Sequence, residues 1–137
     1  MTRHPLYVRF PSPAPGPRGH HPGVFALANA LAGEGRLSAG EYRVWRAAND
    51  WYDAGYPNPS DTDPTVYDPH LNPGAVAWFK STAHHLIDRV DGHLTLLADH
   101  GVPRERVETT NPGRIVYEDE VQIVAVPTAP VDAPRTL

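Results

Sequence analysis

The chain has no cysteine in its 137 residues. That absence excludes disulfide staples, thiolate zinc centres and cysteine nucleophiles together. Long apolar runs are missing as well. No stretch of about eighteen apolar residues exists to cross a bilayer, and the first residues lack the apolar core of a secretory signal. The expectation is a cytoplasmic protein with no membrane segment. Lysine is almost absent, Lys80 being the single one among twelve lysines and arginines. GC-rich codons produce that bias, and it carries no functional meaning. The formal charge of −4 disfavours nucleic acid as a partner, because generic binding to phosphates needs a basic surface.

What is present is enough for a folded domain: 40% of the residues are hydrophobic and 20% charged, too apolar for a disordered chain. The length suits one domain, read here as residues 1–126, with a flexible tail over 127–137. Sixteen prolines punctuate the sequence. Because proline lacks the backbone donor and clashes inside helices, the proline-free windows Gly23–Tyr56, Gly74–Val102 and Gly113–Val126 mark regular structure.

In the first window, Val24, Leu27, Ala28 and Leu31 share a helical face that ends at Gly33 and Gly35. Ser38 and Glu41 have the spacing of a capping box, which starts a second helix running to about Tyr52. In the second window, Ala75–Phe79 is short and continuously apolar, as a buried strand is. A third helix, capped by Ser81 or Thr82, then keeps its period through Leu86, Ile87, Val90, Leu94 and Leu97 to His100, and Gly92 is a place for it to bend. Glu105–Thr110, Arg114–Tyr117 and Val121–Val126 read as strands in a meander, with a turn at Asn111-Pro112-Gly113. Leu6–Phe10 reads as a first strand. The sum is an α+β domain with three helices on a mostly antiparallel sheet of about five strands, in the order β-α-α-β-α-β-β-β.

The segments Tyr7–Pro11, Trp45–Tyr56, Trp78–Lys80 and Pro112–Pro127 resemble those of a family of small uncharacterised proteins from high-GC actinobacteria. The resemblance implies a bacterial cytosolic setting and carries over no activity and no site residue.

Several motifs could carry chemistry, and each has a simpler reading. His84, His85, Asp88, Asp91 and His93 invite a metal, and His84 and Asp88, four apart, could ligate one ion from one face, but a tight site needs a third ligand and none can be assigned. Positions 84, 88, 91, 95 and 99 instead make the polar stripe of an amphipathic helix, so no metal site is assigned. Asp61, Asp63 and Asp68 alternate as calcium ligands do, but Val66 and Asn72 stand where such a loop needs glycine and glutamate. Turns built on aspartate side chains explain them better. Gly16–His21 precedes a helix start and suits an anion held by Arg18 and His20, although it lacks the glycine pattern and lysine of a phosphate loop. Ser12, Ser38, Ser60 and Ser81 include no nucleophile elbow. No cofactor is implied.

The most unusual stretch is Trp45–Asp68. Between Ala47 and Phe79 lie Asp50, Asp53, Asp61, Asp63 and Asp68 with neither lysine nor arginine. In the simplest reading Trp45 and Tyr52 pack into the core while the aspartates keep a loop soluble. In the second, the segment is a binding surface for a basic protein partner, with Trp51, Tyr52, Asp53 and Tyr56 as contacts beside Arg46 and Asn49. In the third, rings and carboxylates attract a cationic small molecule. The binding surface is the leading expectation. The alternative is a metal-independent enzyme or small-ligand binder. Its pocket would form where the second helix, the Ala75–Phe79 strand and the third helix meet, using Arg46 and Asn49 with Asp50, Lys80 and His84 as catalytic candidates. Arg46 and Asp50, four apart, also suit an ordinary helical ion pair.

Overall fold

The computed structural model describes residues 5–15 and 21–128. The expected anion loop with Arg18 and His20, and the tail from residue 129, lie outside the described residues. The elements follow the expected order, with one short helix added before the second strand and the third helix divided in two. They are β1 (Tyr7–Arg9), α1 (Val24–Gly33), α2 (Ala39–Gly55), α3 (Pro59–Thr62), β2 (Val76–Lys80), α4 (His84–Asp88), α5 (Asp91–Asp99), β3 (Val107–Thr109), β4 (Arg114–Glu118) and β5 (Gln122–Val126). The α+β class and the five-stranded sheet are as the sequence implies.

The described chain divides into two compact units, each assembled from segments far apart in sequence. A sheet unit takes the chain up to Val8, then Asn58–Ala83, then Glu108 onward; a helical unit takes Arg9–Pro57 and His84–Val107.

The sheet has the strand order β3-β1-β2-β5-β4. Strand β1 pairs with β2, β2 with β5 and β4 with β5, all antiparallel. Strand β5 is buried along its whole length, as its apolar run on both faces requires of a central strand. Tyr7, Trp78, Ile123 and Ala125 cluster on one face of the sheet. The three final strands do not form a meander: β3 and β4 stand at opposite edges, and only β4 and β5 make a hairpin. The Asn111-Pro112-Gly113 turn has a different task. Pro112 is buried, and Gly113, at φ +113°, runs so close to the backbone of Val126 and Pro127 that any Cβ would collide with it. The turn lays the chain beside the end of β5 instead of folding β4 back on β3.

In the helical unit α1 and α2 both pack on α5, around Val24, Ala28, Leu31, Tyr52, Leu96 and Leu97. The capping box forms as expected: Ser38 Oγ accepts from the Glu41 N–H at 3.1 Å and the Glu41 carboxylate accepts from the Ser38 N–H at 2.8 Å. Helix α2 runs three residues beyond the expected Tyr52.

The third helix is not continuous. It breaks between α4 and α5, ahead of Gly92, and its start at His84 shows no serine or threonine cap. A continuous helix would give the Leu86 carbonyl to the Val90 N–H. Here the Tyr52 hydroxyl donates to the Leu86 carbonyl at 2.6 Å, and the Val90 N–H turns to the Ile87 carbonyl at 3.1 Å. A hydroxyl from another helix thus replaces a rung of the ladder. The amphipathic pattern survives the break: residues 84, 88, 91, 95 and 99 are exposed, while Leu86, Val90 and Leu97 are buried.

Candidate binding surface

The acidic aromatic segment passes through both units, and its two halves differ. In the helical unit most of its rings are already committed. Tyr52 is 5% exposed and packs edge-on against Phe25 at 4.8 Å, and burial pushes its phenol well above the usual range. It is a core residue and presents no surface to a partner. The helical spacing of Trp45, Asn49, Tyr52 and Tyr56 was the available signal, since these four share the half-buried inner face of α2. Trp51 lies under the Arg89 guanidinium at 4.4 Å, and Trp45 under that of Arg46 at 5.0 Å. The protein's own arginines thus cover one face of each indole, where a cationic ligand would bind. Arg46 also pairs with Asp50 at 3.3 Å as an exposed i,i+4 ion pair, a contact worth a few tenths of a kcal/mol, roughly 0.3–0.5. Asp53 is exposed, and Tyr56 is half-buried against Phe25 and Tyr52.

Asn49 belongs to an internal polar chain. Its amide donates to Asn29 Oδ1 at 3.0 Å, beside a second donor to the same oxygen, Trp45 Nε1, at 3.1 Å. Asn49 Oδ1 in turn faces His93 Nε2 at 3.2 Å. This assignment puts the proton of His93 on Nε2. Its Nδ1 is buried with no hydrogen-bond partner, and its ring packs edge-on to Phe25 and Tyr52 at 5.0 and 5.6 Å. Burial lowers the His93 pKa below its ordinary value, so the imidazole is held neutral. His84, His85, Asp88 and Asp91 are all exposed. Among the described residues no group of three or more His, Asp or Glu side chains is placed to hold a metal ion.

Lys80, another candidate, lies in the sheet unit and pairs with Glu118 at 2.6 Å. That contact ties β2 to β4 across the intervening β5.

In the sheet unit, residues 58–73 form a loop fixed by its own hydrogen bonds. Asn58 caps the short α3 by accepting from the Ser60 N–H at 3.0 Å. Asp63 Oδ1 accepts from both the backbone and the hydroxyl of Thr65, at 3.0 and 2.8 Å. Asp68 Oδ1 accepts from the His70 N–H at 2.8 Å, and the Asn72 amide reaches back to the Val66 carbonyl at 3.0 Å. Val66, fully buried, anchors the loop. Asp63 and Asp68 therefore serve the aspartate-built turns expected of them. Asp61 is exposed and makes no ion pair among the described residues.

The same loop holds two large apolar side chains in solvent: Tyr67 is 42% and Leu71 58% exposed. Neither Tyr67 nor Leu71 is among the sequence candidates, and Leu71 lies beyond the Trp45–Asp68 stretch. A large aliphatic residue between Pro69 and Pro73, in a stretch otherwise built for turns, was the signal for it.

No helix among the described residues is long and apolar enough to cross a membrane. Comparison with protein-family models, curated proteins and solved structures finds no match to this chain.

Proposed function

We propose that the protein works by binding a basic protein partner, with the loop over residues 58–73 as the contact region. One observation carries this reading. The loop is held in a single shape by its own hydrogen bonds and still leaves Tyr67 and Leu71 exposed. A loop ordered before association loses little conformational entropy on binding. Aromatic and aliphatic anchors supply the contact energy, and the carboxylates of Asp61, Asp63 and Asp68, with no lysine or arginine in the loop, steer a cationic partner toward it.

The test is native mass spectrometry of the protein purified gently from its own host, as wild type and as Tyr67→Ala and Leu71→Ala. The expected result is a stoichiometric second polypeptide of net positive charge, its affinity lowered about thirtyfold in either variant, as for loss of an anchor worth about 2 kcal/mol. A wild-type chain that flies alone, or a partner retained equally by both folded variants, overturns the proposal.

A further inference from the structure

A groove of about 360 Å³ opens in the helical unit, and none of Arg46, Asn49, Asp50, Lys80 and His84 lines it. Its size is at the small end of the range for sites that hold small organic molecules. Phe10, Ile87 and Leu94 give it an apolar lining. Asp88, the last residue of α4, and Asp91, the first of α5, bring two carboxylates to it; the approach to β3 brings Arg104 and Arg106. The arginine segment is anchored between its two cations, where the Glu105 N–H donates to the Pro11 carbonyl at 2.9 Å. The Arg106 guanidinium sits over the Phe10 ring at 5.6 Å. The Glu105 side chain also lines the groove but is exposed at its rim.

Asp88, Asp91 and Arg104 form no ion pair within 4 Å among the described residues. Two carboxylates and a guanidinium left unpaired with one another over an apolar lining match a molecule that carries both charges on an apolar body. An ammonium would be drawn to Asp88 and Asp91, and a carboxylate would take the forked donors of Arg104.

We propose that this groove binds a small zwitterion with an apolar body, the chemistry shared by apolar amino acids and short apolar peptides. It is independent of the loop in the sheet unit, so either proposal stands if the other fails. Because neither aspartate closes an ion pair with Arg104 within 4 Å, the longer ligand, with ammonium and carboxylate apart, is favoured.

The experiment titrates the full chain with leucine, Leu-Leu, N-acetyl-Leu-Leu and Leu-Leu amide, following backbone amide shifts by NMR and heat by calorimetry. Leu-Leu is expected to saturate, with shifts centred on residues 87–94 and 104–106. Capping either terminus should weaken it about tenfold or more, the loss of one charge-assisted contact worth about 1.5 kcal/mol or more. Tighter binding of leucine than of Leu-Leu would keep the zwitterion and assign the free amino acid as the source. Arg104→Gln should weaken Leu-Leu yet leave the already weakened amide unchanged, whereas Asp91→Asn should do the same with the acetylated peptide. The probe series does not depend on either variant folding. Absence of saturable binding by leucine and Leu-Leu at about 10 mM, or capped peptides that bind as well as the free one, overturns the proposal.

Discussion

At the scale of single residues, Tyr52 and His93 show how little composition says about role. Both belong to a set of side chains that the sequence offers for binding or metal chemistry, and the structure buries both in one aromatic nest. Tyr52 carries a defined structural duty, supplying the donor that a broken helix withholds from the Leu86 carbonyl. Tyr52→Phe should therefore lower stability by about 1–3 kcal/mol, the cost of leaving a buried acceptor unpaired, as read by chemical denaturation. His93 sets a pH dependence. Its folded-state pKa lies below the ordinary 6.5, so as pH falls through about 6.5 the unfolded chain takes up a proton that the folded chain refuses. Stability from this group is complete above that pH and declines below it until the folded pKa is reached. Denaturation midpoints measured from pH 7.5 to 5 should fall in the wild type and fall less steeply in His93→Gln. Equal slopes would remove the assignment.

Among the elements, the parts legible in the sequence are those set by neighbours along the chain. Ser38 and Glu41 announce α2 because a capping box is closed within four residues, and Ser38→Ala should cost about 1 kcal/mol, seen as a lower thermal midpoint. The apolar runs of β2 and β5 are equally local. The break between α4 and α5 was not legible, because the hydroxyl that takes the place of its missing rung stands 34 residues away, on a different helix. Strand order was hidden for the same reason: the Asn111-Pro112-Gly113 chemistry shows that the chain turns, not which strand it turns toward. Gly113→Ala tests the role assigned to that turn. It meets both a positive φ and a collision with the backbone after β5, and should cost more than the roughly 1 kcal/mol that strain at a positive φ costs by itself. The β4–β5 turn is held differently. Burial alone would raise the Asp119 carboxyl, but hydrogen bonds from Val121, Tyr117 and Gln122 outweigh it and keep the carboxylate below its usual range. This group's stabilisation is present above the ordinary carboxylate pKa near 3.8 and lost as the pH falls below it.

For the molecule as a whole, the sequence conveyed the α+β class and the segregation of negative charge, and the structure separates that charge into two settings. On α2, Arg46 pairs with Asp50 and Arg89 covers the Trp51 ring. In the 58–73 loop, nothing in the segment does. A partner steered by that field should bind less tightly as salt is raised, with the loss appearing mainly in the association rate; an affinity indifferent to ionic strength would separate the anchors Tyr67 and Leu71 from any electrostatic role. Binding at the groove was less legible, because Phe10, Asp91 and Arg104 come together only through folding and share no motif.

The placement of β5 has a consequence for how the chain comes into being. Among the described strands it is the last to be synthesised, yet it occupies the middle of the sheet, between β2 and β4. Until it emerges, β2 lacks one neighbour and β4 has none, so the sheet unit cannot close during most of its synthesis. The helical unit has all of its segments once Val107 has been made, some fifteen residues before β5 begins. A nascent chain halted between those points would hold every segment of the helical unit and a sheet lacking its centre, and it is there that a chaperone or a protease would find the most unpaired backbone.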